Sequence, residues 1–577
     1  MACFKSAERR PRSVRVVSKG GSFLSRSGHA EARFPVTRSE RVYGDRVVRC
    51  FVERPRSLFA LLESAVSAHP DAVALVAQDT RLTYRDLDQW VARVSCALVR
   101  SGVGPADRVA LMLGNRVEFV VVMFAAARLG AIVVPLSIRE VKAGLIFTLG
   151  QCGARVLVHE GELSAQVPHD KDLAAPLLRV RVGNTDHEGA PAIAWQAWLH
   201  GAAVDTPREP ARPAETDTAA ILYTSGTTGR PKGAMLTHLG LAHSAMHFVH
   251  AMSLGPRDCS IAAVPLSHVT GLVALIATTV LAAGKLVIMP AFRASAFIEL
   301  AQAEAMTHTV MVPAMYKLCL MEPRFSQADL SAWRIGAYGG APMPEATIAE
   351  LAGQLPHLML MNCYGSTETT SPATLMPPGQ SAGQSDSVGC ALPCAQIHVM
   401  DDQGRECPPG ELGEIWIGGP MVIPGYWNND EATRAAFAGG FWRSGDLGWM
   451  DANGYLRVVD RIKDMINRGG YKVFTIEVEN VLYEHEAVVE CAVVPVPCPV
   501  LGERVNAVVY TLQKSPNHEE LNEQFRAYCA ARLADYKVPE RFLFTQHPLP
   551  RNANGKLLKR QIREALITNP PTPESAS

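Results

Sequence analysis

From residue 72 onward, short apolar runs alternate with segments whose apolar positions recur every three or four residues. Residues 72–77 read as a strand, Gln78-Asp79 as a turn, and 81–84 as a second short strand. Thr83 followed by Asp86 makes a helix-start box. Leu87, Val91, Val94 and Leu98 then fall on one helical stripe, which Gly102 and Gly104 end. The pattern continues as a strand at 109–113, a helix at 117–128 and a strand at 131–135, and resumes with strands at 286–289, 309–312, 334–338 and 358–362. Strands alternating with helices predict parallel sheets covered on both faces. The stretch 269–284 is nearly apolar and ends at Lys285; it predicts a buried helix, being too short to span a bilayer.

After Gly389 the texture changes. Short segments at 396–400, 401–404 and 413–417, with Gly, Pro and Asp turns, predict a small β-rich subdomain. The basic turn Asp460-Arg461-Ile462-Lys463-Asp464 separates it from a last small α/β unit. The fold class expected is therefore α/β: a large N-terminal part of parallel sheets flanked by helices with a β-rich subdomain, then a small C-terminal α/β domain. The expected boundaries are 51–462 for the large domain and 463–567 for the small one. Residues 568–577 read as a Pro/Ser tail. The first 50 residues hold twelve Lys/Arg and four Asp/Glu without an apolar segment, so they are not a secretory signal and read as a basic, disordered or mis-started tail.

Composition narrows the function. The 577 residues are 48% hydrophobic and 19% charged, as in globular proteins. Lys+Arg 56 against Asp+Glu 56 leaves no net charge, which argues against wholesale binding of nucleic acid or an anionic membrane. The 13 cysteines form no CxxC pair, so they read as reduced thiols of a cytoplasmic protein rather than a zinc site. A homodimer is left open.

One run carries chemistry on its own. A strand at 220–223 leads into Thr224-Ser225-Gly226-Thr227-Thr228-Gly229-Arg230-Pro231-Lys232-Gly233. Glycines let successive N–H groups turn toward an anion, and the hydroxyls and Lys232 add donors to the same target. This suits a polyphosphate. It is not a Walker A loop, because the Gly-to-Lys spacing differs and Gly233 stands where a Ser or Thr would bind Mg²⁺.

The run resembles the signature loop of the adenylate-forming superfamily: acyl-CoA synthetases, peptide-synthetase adenylation domains and beetle luciferases. Pro265–Leu272 resembles that family's acyl-pocket motif, Gly339-Gly340-Ala341-Pro342 its adenine-floor turn, and Tyr364-Gly365-Ser366-Thr367-Glu368 its Tyr-Gly-x-Thr-Glu motif. Arg443-Ser444-Gly445-Asp446 resembles the ribose motif, 460–473 the hinge and following loop, and 550–556 the terminal lysine motif. The similarity spans about Leu58 to Arg563.

The resemblance implies activation of a carboxylic acid by ATP and transfer of the acyl group to coenzyme A. Thr224, Ser225, Gly226, Thr227, Thr228, Gly229 and Lys232 would hold the phosphates. Glu368 with Thr227 would hold Mg²⁺, a hard cation that prefers oxygen ligands. Gly340, Ala341, Asn362, Tyr364, Gly365 and Thr367 would surround adenine, Tyr364 by stacking, and Asp446 with Arg461 would take the ribose. Lys556 would touch the attacking carboxylate and the α-phosphate. The small domain, expected to be mobile, would turn about Lys463 and present Gly469, Gly470 and Tyr471 to coenzyme A. His268 would gate an acyl pocket lined by Val269, Ala337 and Cys363, with Ala245 and Met246 as further candidates.

No Trp plugs that pocket near Asn362-Cys363-Tyr364. The only Asp between His268 and Tyr364 is Asp329, which disfavours an amino-acid substrate. The leading expectation is a medium- to long-chain fatty acid. An aryl acid of the benzoate or cinnamate type, or an acyl-AMP ligase loading a carrier protein, stand as alternatives.

Overall fold

A computed structural model describes residues 34–184, 189–200, 209–225, 230–511, 518–551 and 557–568. Two large sheets carry most of the chain. In the nine-stranded sheet, Val73–Ala77, Lys285–Ile288, Cys259–Ala262, His308–Met311, Ile335–Gly339 and Met359–Ser366 run parallel in that spatial order. The seven-stranded sheet is centred on Ile132–Pro135, Arg108–Met112 and Ala154–Glu160, also parallel. Their strands are apolar on both faces because helices cover both sides. The helix Tyr84–Arg100 buries Leu87, Val91, Val94 and Leu98 and is closed by a Thr83–Asp86 capping box. Beside it Val117–Arg128 is buried almost all round.

Strand limits differ from the sequence expectation in one instructive place. The strand expected at 358–362 runs on to Ser366, because Ser371–Leu375 folds back on it antiparallel and supplies partners for the added residues.

One expectation is corrected and another refined. The tail expected through residue 50 includes an ordered hairpin, Thr37–Val42 paired with Arg46–Phe51. Its attachment is to segments distant in sequence: the Phe51 N–H donates to His243 Nε2 at 3.0 Å, Tyr43 Oη lies 2.7 Å from Thr237 Oγ1, and Val42, Val48 and Cys50 cluster with Leu239. Such contacts leave no hydrophobic period to read. The buried helix expected over 269–284 is wound wide, as a π-helix, over Thr270–Ala277 and becomes α only at Thr278–Leu281. Thr278 Oγ1 donates five residues back to the Val273 carbonyl at 2.9 Å, in keeping with the wider turn. Such turns occur often at functional sites.

Beyond Gly389, the strands Gln396–Met400, Gly413–Gly418, Phe437–Ala438, Phe441–Met450 and Leu456–Arg461 form a third sheet. A fourth sheet, Tyr471–Val473, Ile466–Arg468, Gly502–Tyr510, Glu490–Cys498 and Arg541–Thr545, has its own core around Phe525 and Val493. Residues 462–465 connect the two. Among the described residues, no helix is long and apolar enough to cross a membrane, and every cysteine is a free thiol.

Candidate active site

The phosphate-loop candidate sits at the tip of a hairpin. Thr218–Ser225 and Pro231–Thr237 pair antiparallel, with Thr224 opposite Lys232. Gly226, Thr227, Thr228 and Gly229 lie outside the described residues, as does the side chain of Ser225. Lys232 projects its ammonium over the Tyr426 ring, 5.3 Å from the centroid. Tyr426 reaches this place because its neighbour Trp427 donates its N–H to the Gly233 carbonyl at 2.7 Å. A side chain on Gly233 would strike Ile221 at 2.8 Å, so the close approach needs glycine there.

Glu368 stands beside this pair, nearly buried in the short turn Thr367–Thr369. Tyr426 Oη donates to Glu368 Oε1 at 2.9 Å, Ser366 Oγ to Oε2 at 2.5 Å, and Thr224 Oγ1 approaches Oε1 at 3.5 Å. Burial, with Glu368 second, pushes the Tyr426 phenol far above its usual range, so it stays a donor. The turn is held under strain: Thr370 and Ser371 adopt φ of 51° and 90°. Thr369 Oγ1 donates to the Ser371 carbonyl at 2.6 Å, and that carbonyl would lie 2.2 Å from a Cβ on Gly365. One carboxylate with nearby hydroxyls is a donor set that fits a hard cation completing its shell with phosphate oxygens.

The structure brings the two ribose candidates together. Asp446 faces Arg461 across adjacent strands, Oδ1 to Nε 3.2 Å. Tyr364, read from sequence as an adenine stacker, donates its hydroxyl to Asp446 Oδ2 at 2.7 Å. Burial, with the Asp446 charge second, drives that phenol well above its ordinary range. Asn362 is buried, its amide nitrogen donating to the Ser387 carbonyl at 3.1 Å. Gly339 lies opposite Cys363, whose carbonyl would be 2.4 Å from a Gly339 Cβ. Gly340 follows with φ 80°, a conformation glycine tolerates, and Ala341 is exposed.

On the acyl side, Val269 and Ala337 are buried in the main core and Cys363 packs against it. Burial pushes the Cys363 thiol up to about 12, so it stays neutral. His268 is half-buried at the start of the π-helix, its Nδ1 3.3 Å from Thr270 Oγ1. The segment before it is fastened by Asn115. That amide nitrogen donates to the carbonyls of Ala262, Val264 and Met289 at 3.2, 3.0 and 2.9 Å, and its oxygen accepts from Leu266 N–H at 2.9 Å. All of these lie at the carboxyl ends of parallel strands, where open α/β sheets bind ligands.

In the small unit Lys463, Gly469, Gly470 and Tyr471 are exposed, and the Tyr471 ring stacks on Tyr536 at 4.7 Å. Lys556 lies outside the described residues. Sequence reasoning missed Tyr426 and Asn115. The contact of Tyr426 with Glu368 spans 58 residues and that of Asn115 with Leu266 spans 151, and no local period marks either.

Sheets, turn and ribose acid together define an adenylate-forming enzyme. The family model described as "AMP-binding enzyme" matches residues 62–427, and that described as "AMP-binding enzyme C-terminal domain" matches 477–556. The chain belongs to this AMP-binding enzyme family. It is 36% identical over 497 residues to a feruloyl-CoA synthase of an Amycolatopsis species, covering 86% of this chain and 96% of the relative. It is 33% identical over 501 residues to the long-chain-fatty-acid–CoA ligase FadD13 of Mycobacterium tuberculosis, covering 87% and 96%. Among solved structures, an anthranilate CoA ligase in complex with anthranoyl-AMP superposes with a TM-score of 0.81 at 26% identity, covering 88% of this chain and 97% of that one. The o-succinylbenzoate coenzyme A synthetase of Bacillus subtilis, with ATP and magnesium ion, gives 0.76 at 28% identity, covering 88% and 99%.

Proposed function

We propose that this protein is an AMP-forming acid–CoA ligase whose acid is an aryl-substituted carboxylate of the cinnamate or benzoate class. The observation that carries the reaction class is the presence of two polar clusters, Lys232 with Tyr426 and Glu368, and Tyr364 with Asp446 and Arg461. In the first step the acid's carboxylate oxygen bonds to the α-phosphorus of ATP and the bond to pyrophosphate breaks. In the second the coenzyme A thiol attacks the acyl carbon, the thiol proton is released and AMP leaves.

Two anions must meet in the first step, so the site supplies fixed positive charge and orientation. Lys232 faces the β- and γ-phosphates. Asp446 accepts from the ribose hydroxyls and is aimed by Tyr364 and Arg461. Lys556 stabilises charge at the α-phosphate. Glu368, with Thr227, would hold a magnesium ion, which supplies charge neutralisation on the phosphates. Lys463 serves as hinge, and Gly469, Gly470 and Tyr471 line the thiol's path.

The aryl class is supported by the feruloyl-CoA synthase relative and the anthranilate ligase structure, together with small walls at Ala337 and Cys363. A long aliphatic acid is the second reading, favoured by the long-chain ligase relative. The deciding experiment offers purified protein ATP, magnesium and a panel of aryl and aliphatic acids, with and without coenzyme A. AMP release is expected to require coenzyme A and to be greatest with a hydroxylated cinnamate or benzoate. Greatest kcat/KM with a fatty acid selects the second reading. Failure of every acid to support exchange of labelled pyrophosphate into ATP refutes the ligase itself.

A further inference from the structure

Residues on opposite sides of the connection at 462–465 are tied together by a buried polar chain. Asp460, on the last strand of the third sheet, is 1% exposed. The helix Thr475–Tyr483 of the small unit begins without a side-chain cap from Phe474. Its first amide, the Thr475 N–H, instead donates to Asp460 Oδ2. Thr475 Oγ1 donates to the same carboxylate, at 3.0 Å from Oδ2 and 3.2 Å from Oδ1. A carboxylate at a helix N-terminus satisfies an orphan donor and meets the positive end of the helix dipole.

The chain of contacts continues into the last helix, Lys559–Thr568. Lys559 Nζ donates to Thr475 Oγ1 at 2.7 Å and pairs with Glu479 Oε1 at 2.7 Å. Glu479 Oε1 also accepts the Val493 N–H at 2.7 Å. Lys559 and Glu479 side chains are 17% and 12% exposed, so the pair is largely shielded from water. Lys559 stands three positions after Lys556, and Asp460 directly precedes Arg461 of the ribose pair. With the Arg461 N–H donating to Asp460 Oδ1 at 2.7 Å, one set of hydrogen bonds thus links Arg461 to the first turn of the last helix.

We propose that Asp460, Thr475 and Lys559 are positioning residues, forming a clamp that holds the small unit in the orientation for acyl-adenylate formation and that must open for thioester formation. This rests on the two-step ligase reaction proposed above. The orientation follows from what the clamped arrangement leaves outside. Tyr471 is 60% exposed, and Gly469 and Gly470 are exposed, so the segment assigned to the thiol step faces solvent while the clamp is closed. Lys463 lies between Asp460 and Thr475 in the chain, so turning the small unit about it pulls the two apart.

The test uses the full chain carrying Thr475→Val, which keeps the β-branched shape and removes the bridging hydroxyl, with Thr475→Ser as the conservative control. Three quantities are read: pyrophosphate exchange, thioester formation from supplied acyl-adenylate, and the rate of tryptic cleavage at Lys463. Thr475→Val is expected to lower exchange about tenfold, to leave the second half-reaction within about twofold or faster, and to speed cleavage several-fold, with Thr475→Ser close to the parent. Parent-like values throughout, or equal loss in both half-reactions, overturn the clamp. Asp460→Asn, which removes the charge at the helix start, repeats the test should Thr475→Val show a collapsed thermal transition. Lys556→Ala is run alongside. If it leaves exchange intact, the assigned role of Lys556 fails; if it abolishes exchange while the clamp variants do not, the clamp alone fails.

Discussion

Glu368 is fixed by hydroxyls from three separate segments, Tyr426, Ser366 and Thr224. Its two oxygens are therefore aimed before any phosphate arrives, the kind of preorganisation that makes charge stabilisation effective. Glu368→Gln is expected to lower the rate of pyrophosphate exchange on the order of 10²–10³-fold, and Tyr426→Phe about tenfold, since the phenylalanine keeps the ring beneath Lys232. Equal effects of the two changes would place the cation on Tyr426 rather than the carboxylate. In the second cluster, Tyr364→Phe removes the 2.7 Å bond that orients Asp446. Its expected signature is an ATP KM raised about tenfold with kcat little changed, read from initial rates.

The helix His238–Ala251 shows what an element does that no single residue can. Its histidines fasten other segments from its buried faces: His238 Nδ1 accepts from the Leu58 N–H and His243 Nε2 from the Phe51 N–H, each at 3.0 Å. These bonds need neutral rings, and burial lowers both pKa values to about 4. His247, fully buried, is lowered well below its usual value by the same cause, and neither ring nitrogen has a partner among the described residues. A folded-state pKa below the unfolded value of about 6.5 means that the unfolded chain binds more protons, so stability falls as pH drops from about 6.5 toward 4. The thermal midpoint is accordingly expected to fall across that window. His247→Leu should flatten the fall and be neutral or stabilising at pH 7, because it removes unpaired polar atoms. A loss above about 2 kcal/mol at pH 7 would contradict this. The N-terminal hairpin depends on the same region through Arg54, whose guanidinium is 2% exposed and pairs with Glu40 and Glu215 at 2.8 and 2.6 Å. Arg54→Met removes the buried partner of both carboxylates, leaving them only the exposed Arg38 and Arg56, and is expected to cost about 3 kcal/mol in denaturant unfolding.

For the molecule as a whole, the proposed function asks the two half-reactions of two differently oriented arrangements of one small domain. Lys556→Ala is expected to cost adenylation about 3–4 kcal/mol while sparing thioester formation from supplied acyl-adenylate. Loss of both together would contradict a division of labour between orientations. The same scale marks what could be read before any coordinates. The parallel strands, the capped helix at Thr83 and the candidate phosphate run are local patterns: period, cap and glycine spacing announce themselves within a few residues, whereas the ribose reading of Asp446 came from the family resemblance. The alternating strands and helices and the Thr224–Lys232 run sufficed for the α/β class and for a loop suited to polyphosphate, because backbone geometry and side-chain type at short range dictate both; the nucleotide reading came with the family resemblance. The hairpin at 37–51, the π-wound segment after His268, the hydroxyls around Glu368, the Asn115 fastening and the Asp460–Thr475–Lys559 chain came only with folding. Apart from the π-wound segment, each depends on groups from distant segments finding one another in low-dielectric surroundings, where a partner is decisive and its position along the chain leaves no trace.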